Sequence, residues 1–143
     1  MPVLISVPHA GTIIPDDLCA RLTPAALDLP DTDWHVDALY DFATRMGVGL
    51  LTATHSRYVI DLNRDPDGKP LYPGADNTEL CPLTTFHRDA VYLAGQEPGE
   101  AEIAQRVETY WRPYHERLAA ELESLRARFG VAVLWDGHSI ASQ

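Results

Sequence analysis

The stretch that runs from Val3 to Gly11, VLISVPHAG, indicates the fold class of this chain. A short apolar run that ends at proline and glycine is typical of a buried strand in an α/β sheet. His9 then follows the strand at its carboxyl end, where open α/β sheets bind their ligands. A lone histidine after a strand is more often a hydrogen-bonded turn residue than a metal ligand, so its role depends on what lies beside it.

Two further segments have the character of buried strands. They are Gly49–Thr54 and Val131–Trp135, and a long amphipathic helix is predicted between them, from Glu100 to Arg128. Pro113 lies inside that helix and should kink it or split it in two. With 143 residues, the chain is predicted to form a single α/β domain that is large enough to bury a core.

Shorter helices are predicted between the first two strands. Helical turns are expected at residues 15–18 and 23–27, with Thr23 as the cap of the second. A longer helix is expected from Pro30 to about Met46. Its first turns carry three carboxylates, those of Asp31, Asp33 and Asp37. The helix dipole favours negative charge there, and a carboxylate in this position can also coordinate a metal if the helix start faces His9.

Residues 69–99 are the least regular part of the chain, with many prolines and glycines and no apolar period. Compact domains seldom carry loops longer than ~15 residues unless the loop is a lid or a binding element. We therefore expect its polar and aromatic side chains to line a pocket. The residues expected there are Tyr72, Asn77, Thr84, Thr85 and Phe86.

The composition is that of an ordinary globular protein in which positive charge is scarce. The hydrophobic fraction is 45% and the charged fraction is 22%. The net charge of -10 argues against nucleic acids and anionic membranes as partners, and a small anionic substrate requires that some of the 11 basic residues be concentrated locally. Cys19 and Cys81 are expected to be free thiols, although one disulfide stays open. With no signal peptide or membrane-spanning stretch visible, we expect a cytoplasmic location.

Two arginines stand close together in Ser56–Arg64, SRYVIDLNR. The apolar residues of this segment favour an extended backbone, so we predict a short strand with Arg57 and Arg64 just outside its two ends. A guanidinium offers a planar fork of donors that fits a carboxylate bidentately. We expect the segment to hold an anionic substrate, and the alternative is a strand flanked by structural salt bridges.

Two imidazoles and one carboxylate can form a single metal site in this chain. The candidates are His9, His138 and an aspartate of the region 31–37. This donor set leaves a fourth tetrahedral position open, as in hydrolytic zinc sites. The second nitrogen of each imidazole must be anchored, and backbone carbonyls or Asp136 can do that.

Other chemistries have weaker support. A Ser-His-Asp triad could use Ser6, Ser56 or Ser139, but no Gly-x-Ser-x-Gly elbow is present. A Cys-His nucleophile made of Cys81 and His87 has less support still. The sequence has no Gly-rich phosphate loop, which argues against nucleotides as ligands.

Four motifs, taken in order, resemble the N-formylglutamate amidohydrolase family. They are Ser6–Gly11, Asp31–Asp37, Ser56–Pro66 and Trp135–Ser139. That family hydrolyses N-formyl-L-glutamate to formate and glutamate in histidine degradation, and it is similar to the zinc carboxypeptidases and to the deacylases that act on succinylglutamate and acetylaspartate. The resemblance implies a three-layer α/β/α fold with a central, mostly parallel or mixed sheet, like that of the zinc carboxypeptidases.

The resemblance also implies which residues bind the metal. His9 and His138 would bind one zinc ion together with Asp33, with Asp31 as the alternative. Relatives carry a closer histidine-x-x-glutamate arrangement, whereas here the residue three positions after His9 is Thr12.

For the substrate, the resemblance implies three further roles. Asn63 and Arg64 would bind the α-carboxylate of the glutamate moiety, and Arg57 would polarise the scissile formyl oxygen. An acidic protein would thus reserve guanidinium groups for a dianionic substrate.

One departure from the family concerns the general base. Members of the family extend much further, and their general-base glutamate lies beyond the second histidine motif. The resemblance therefore implies that residues 1–143 form a domain that is incomplete at its carboxyl end and binds zinc with poor or no turnover. Glu79, Glu97 and Glu100 are candidate bases by residue type alone.

Four alternative functions stay open. Two are enzymatic, a carboxypeptidase-like peptidase and a deacylase of another N-acyl amino acid. The third is a non-catalytic domain that binds zinc or an acidic amino acid. The fourth is a purely structural α/β module, in which the histidines and arginines point apart.

Overall fold

A computed structural model describes residues 1–70, 73–74 and 77–140 of the chain. Tyr72, which was predicted to line a pocket, lies outside the described residues. The described part contains one parallel sheet, with strand order β2-β1-β3. Its strands are β1 (Val3–Val7), β2 (Gly49–Thr52) and β3 (Val133–Asp136). The three predicted strands and the α/β class are confirmed.

Burial differs between the central and the outer strands. β1 lies between its two partners, pairs Ile5 with Leu50 and with Trp135, and is mostly buried. β3 was predicted to be buried, and this is wrong for the described part of the chain, where Trp135 is 55% exposed. The reason is its position, since β3 is an edge strand that pairs with β1 on one side.

The described helices alternate with these strands. Four short helices come before α5 and α6, and a π-helical turn (Val107–Trp111) joins those two. The bounds are α1 Asp16–Cys19, α2 Pro24–Leu27, α3 Val36–Leu39, α4 Asp41–Arg45, α5 Glu100–Arg106 and α6 Arg112–Phe129. The two predicted short helices are confirmed, and the Thr23 hydroxyl caps the second by accepting the N–H of Ala26 at 3.2 Å. No helix that the structure describes is long and apolar enough to cross a bilayer.

The helix predicted from Glu100 to Arg128 is continuous and contains the π-helical turn just before Pro113. Pro113 has no N–H to donate to the preceding turn, and it sits at the start of α6 directly after the π-helical turn. The predicted helix is therefore confirmed, the predicted split is wrong because the backbone stays helical through Pro113, and the alternative of a kink stays a prediction.

The helix predicted from Pro30 begins later than expected. Residues before Val36 form turns, because the N–H of Asp33 donates to the carbonyl of His9 at 2.9 Å and His35 takes a left-handed conformation with φ 64. Asp31 and Asp33 thus do not lie in a helical first turn, and the helix-dipole explanation applies to neither. Tertiary hydrogen bonding to the loop after β1 determines this start.

Helices pack on both faces of the sheet. Ile5 and Val7 of β1 pack against Val36 of α3 and against α4. From the opposite face, the Ser6 hydroxyl lies 3.0 Å from that of Tyr114 on α6. The alternating side chains of one strand therefore connect the two helical layers.

The segment Ser56–Arg64 is not the predicted strand. Its backbone forms turns, with the N–H of Val59 donating to the carbonyl of Ser56 at 2.9 Å. Tyr58 and Val59 belong to one apolar cluster, while Ile60 belongs to another that includes Cys81. The β-propensity of such residues reflects packing on a buried surface, and here turns that face two clusters provide that packing.

Gly11 allows its backbone to pack closely against the backbone of residues 54–55. A Cβ at this position would lie 2.2 Å from the carbonyl oxygen of His55.

We expect Gly11→Ala to lower the free energy of unfolding by about 2 kcal/mol or more, because the backbone there has to move. Urea denaturation measures this change. Gly99→Ala, whose Cβ would meet nothing within 4 Å, puts a poorer cap on α5 and should cost about 1 kcal/mol or less. Equal losses in both variants would contradict the prediction.

Candidate active site

Three polar side chains converge at the carboxyl ends of β1 and β3. His9 follows β1, His138 follows β3, and Asp33 lies in the turn before α3. Their potential ligand atoms all lie within 4.8 Å of one another, and the two imidazole ring centroids are 4.9 Å apart. The structure thus brings together the predicted set and forms a possible metal site.

The parallel sheet explains why residues so distant in sequence meet. β1 and β3 are neighbours with Ser6 opposite Asp136, so the loops after them leave the sheet side by side. The N–H of Gly137 donates to the carbonyl of Ser6 at 2.7 Å. A Cβ on Gly137 would lie 2.7 Å from the ring of Tyr40, so glycine permits this tight exit from β3.

His9 is oriented by Asp61, which the sequence analysis did not single out. The Nε2 of His9 lies 2.7 Å from the Asp61 carboxylate, and its Nδ1 faces Asp33 at 3.7 Å. Asp61 is 0% exposed, and its second oxygen accepts a hydrogen bond from Arg57 at 2.7 Å. The sequence feature that could have identified Asp61 is its place at the start of the Asp-x-Asn-Arg sequence that also contains Asn63 and Arg64.

Opposing effects act on the Asp61 carboxyl. Burial favours its protonated form, but the hydrogen bond and charge of His9 and the charges of Arg57 and Arg64 outweigh burial. The pKa of the Asp61 carboxyl is therefore held well below its usual range. Asp61 is a buried anion that fixes both His9 and Arg57.

His138 lies between two carboxylates. Its Nε2 is 2.9 Å from Asp136, and its Nδ1 is 3.2 Å from Asp33. Hydrogen bonds to Asp136 and Asp33 raise the pKa of the His138 imidazole to about 9. The expectation that Asp136 can anchor this imidazole agrees with the geometry, and the amide of Asn63 also lies 3.4 Å from its Nε2.

Asp33 and Asp31 differ in what their carboxylates contact. One oxygen of Asp33 accepts from the Ser139 hydroxyl at 3.2 Å, and the other faces both imidazoles. The Asp31 carboxylate instead accepts the Tyr58 hydroxyl at 2.7 Å and the N–H of Phe86 at 3.1 Å. Of the two predicted alternatives, the geometry favours Asp33.

The two arginines of the segment Ser56–Arg64, Arg57 and Arg64, have different surroundings. Arg57 is buried, and in addition to Asp61 its guanidinium contacts the carbonyl of Asp31 at 3.4 Å and lies 4.8 Å from the centroid of the Phe86 ring. Arg64 donates to the Thr78 hydroxyl at 2.9 Å and to backbone carbonyls. Within the described part of the chain, these partners of Arg64 are neutral oxygens.

Arg64 borders a cavity of about 290 Å³. Its walls include four of the residues predicted to line a pocket: Asn77, Thr84, Thr85 and Phe86. The prediction that these four residues line a pocket is therefore confirmed, and a binding role of the irregular segment stays a prediction.

The other residues considered as general base or nucleophile lie in different surroundings. Glu79 lines the same cavity as Arg64, whereas Glu97 and Glu100 are exposed near the start of α5. Burial raises the pKa of the Cys81 thiol, which makes it a poor nucleophile. The Ser139 hydroxyl donates to Asp33, so it serves the carboxylate cluster.

Comparisons with known proteins extend over the whole chain. The family model for N-formylglutamate amidohydrolase matches residues 1–143. The chain is 49% identical over 142 residues to the N-formylglutamate deformylase of Pseudomonas putida and 47% identical to that of Pseudomonas aeruginosa. The match covers 99% of this chain and 53% of each relative, so the chain spans about half their length.

Solved structures give the same result. The N-formylglutamate amidohydrolase of Ralstonia eutropha JMP134 matches with a TM-score of 0.78 and 32% identity, over 98% of this chain and 53% of that one. The gene product Atu2144 of Agrobacterium tumefaciens, at 24% identity and a TM-score of 0.69 over 97% of this chain and 52% of its own, shares the fold. The chain belongs to the N-formylglutamate amidohydrolase family.

Proposed function

We propose that this chain carries the metal-binding and substrate-binding residues of a zinc-dependent amidohydrolase, which converts N-formyl-L-glutamate to formate and L-glutamate. The observation that carries the proposal is the convergence of His9, Asp33 and His138 within 4.8 Å. The names of the relatives support the reaction. The place of this reaction in histidine degradation and the fold relationship to zinc carboxypeptidases stay predictions from the resemblance.

The donor set fits zinc. Two imidazole nitrogens and one carboxylate oxygen, with a fourth position open, are typical of catalytic zinc sites. His9 would bind through Nδ1, because Asp61 holds its Nε2, and Asp33 would bind through the oxygen that faces both rings. When bound, zinc would provide a hydroxide equivalent at neutral pH and polarise the amide carbonyl.

The substrate would lie between the metal site and the arginines. Asn63, whose amide reaches His138, and Arg64 would bind the α-carboxylate. Arg57 would donate to the formyl oxygen. In the part of the chain that the structure describes, its hydrogen bonds to Asp61 and Asp31 use two of the five N–H donors of a guanidinium, and we propose that another donates to the ligand.

The general base is assigned only by type. Among the three candidate glutamates, Glu79 shares a cavity with Arg64, whereas the resemblance places the base beyond the second histidine motif. Zinc hydrolysis needs a group that passes a proton from water to the leaving amine, which contributes ~10²–10⁴-fold to the rate. We therefore expect slow turnover by residues 1–143 alone.

Zinc content and formate release, measured on one preparation, test the proposed function. Kept from chelators, the chain should hold close to one zinc ion and should release formate from N-formyl-L-glutamate only when zinc is present. The rate should be about 10²–10⁴-fold below that of the longer relatives.

Controls separate the alternatives. A dipeptide with a C-terminal glutamate, offered in parallel, should not be cleaved, and its cleavage would favour the peptidase. Zinc at less than about a tenth of an equivalent would count against the metal site. Bound zinc without any formate release would favour the non-catalytic binding domain.

The role of Asp61 predicts a loss of metal affinity on substitution. Asp61→Asn removes the charged acceptor for His9 and the partner of Arg57, so zinc affinity should fall about 10–100-fold. Competition with a chromophoric chelator measures the affinity, and circular dichroism checks the fold. Asp41→Asn, which removes an exposed partner of Arg45, is the matched control and should leave the affinity unchanged. Equal affinities of both variants would contradict this role.

The protonation of His138 predicts a pH dependence of zinc binding. Its imidazole has a pKa raised to about 9 in the metal-free protein, so below that pH zinc has to displace a proton. Zinc affinity should rise about tenfold per pH unit between pH 7 and pH 8.5 and level off above about pH 9. The same chelator competition at several pH values measures it. An affinity that stays constant across this range would refute the prediction.

A further inference from the structure

The π-helical turn before α6 ends in an aromatic pair. Its last residue, Trp111, stacks on the imidazole of His115 in α6, with ring centroids 3.8 Å apart and an interplanar angle of 24°. The N–H of Arg112 donates to the carbonyl of Val107, so this turn is closed by a longer backbone step than a turn of α-helix. Because π-helical turns are rare and occur frequently at functional sites, the contacts of this pair bear on function.

Both rings of the pair bond to the backbone beside the candidate active site. The indole Nε1–H of Trp111 donates to the carbonyl of Arg64 at 2.9 Å, and the Nε2 of His115 lies 2.8 Å from the carbonyl of Leu62. Because a carbonyl oxygen can only accept, the imidazole carries a proton on Nε2. Burial lowers the pKa of this imidazole, which favours its neutral form. The two rings thus hold the backbone on both sides of Asn63.

Asn63 and Arg64 lie in turns, outside any helix or strand that would fix their backbone. The N–H of Asn63 donates to the Asp61 carboxylate at 2.8 Å, and its carbonyl accepts from the Arg64 guanidinium at 2.9 Å. The carbonyls before and after it are the two that the aromatic pair holds. The backbone conformation at Asn63 and Arg64 therefore depends on two rings from a distant part of the sequence.

The pair itself does not belong to the candidate metal site. Trp111 packs against the apolar cluster that includes Ile60 and Cys81. The side-chain amide of Asn63, by contrast, lies 3.4 Å from the Nε2 of His138. The aromatic pair can thus influence a ligand at this site through the backbone of Asn63 and Arg64.

We propose that Trp111 and His115 are positioning residues for the α-carboxylate site. By holding the carbonyls of Arg64 and Leu62, they fix the backbone from which the Asn63 amide and the Arg64 guanidinium reach one carboxylate. The inference rests on the proposed function, in which these two side chains bind the α-carboxylate. Binding groups have to be held within about 0.5 Å of their productive geometry, so a loosened backbone should weaken that contact.

Ligand binding to the zinc-loaded chain tests the inference without requiring turnover. Isothermal titration calorimetry compares N-formyl-L-glutamate with 4-formamidobutanoate, which lacks only the α-carboxylate. The wild-type chain should bind N-formyl-L-glutamate about tenfold more tightly or better, as a charge-assisted contact provides. His115→Phe keeps an aromatic ring but removes the N–H donor. It should therefore remove most of this preference and leave binding of 4-formamidobutanoate unchanged.

Three further variants separate the hydrogen bond from packing. Trp111→Phe also removes one donor and keeps a ring, so it should reduce the preference in the same way. His115→Gln places an amide N–H near the position of the imidazole Nε2 and should keep most of the preference. His55→Phe is the matched control, because His55 stacks on Tyr110 of the same π-helical turn, and it should bind both ligands as the wild type does. Circular dichroism checks the fold of every variant, and if His115→Phe does not fold, Trp111→Phe provides the comparison.

The outcomes separate the positioning role from the function. If His115→Phe keeps the preference, or weakens both ligands equally, the positioning role is overturned while the proposed function stands. The role is likewise overturned if His115→Gln loses the preference as fully as His115→Phe does, or if the wild-type chain binds both ligands equally well. If neither ligand binds to the wild-type chain, the proposed substrate and the positioning role fail together.

Discussion

The candidate metal site depends on the hydrogen bonds that the buried Asp61 carboxylate forms with His9 and Arg57. One oxygen holds His9 and the other holds Arg57, each at 2.7 Å, and no part of Asp61 is exposed. A buried charge is tolerated only when it is paired and hydrogen-bonded, and the N–H of Asn63 adds a further bond at 2.8 Å. Loss of either partner would leave one buried oxygen of Asp61 without that hydrogen bond, so the loop after β1 and the turns of residues 56–64 have to keep one relative position.

A second constraint concerns how an acidic chain holds anionic and cationic groups side by side. Asp33 and Asp136 flank His138, and a proton on that imidazole compensates their charge in the metal-free protein. A metal ion would replace that proton, so the same carboxylates serve both states. Arg57 pairs with Asp61 at 2.7 Å, so a second cation compensates the carboxylate that holds His9. Each buried or half-buried carboxylate named here thus has a cationic partner.

Local patterns in the sequence determined much of the framework. The apolar runs predicted the three described strands, and Pro113 lies where the π-helical turn gives way to α6, because apolar patterns and the missing N–H of proline act over a few residues. The approach of His9 and His138 was also predictable, because side chains that follow parallel strands emerge at one edge of the sheet. Asp33 could be chosen over Asp31 only by resemblance, and the structure gives the physical reason, since Asp31 is engaged by Tyr58.

Only the tertiary structure decided the features that depend on distant partners. The segment Ser56–Arg64 has strand-forming residues, yet it folds into turns. Its apolar side chains pack into two separate clusters, and the backbone N–H of Asn63 donates to the carboxylate of Asp61 within the segment. The helix expected from Pro30 starts at Val36 because the loop after β1 captures the N–H of Asp33. The sequence by itself determined the three described strands, the helix from Glu100 and the end of the sheet that carries the polar residues. The contacts of buried charged groups lie far apart along the chain, so the fold alone determined how those residues are oriented.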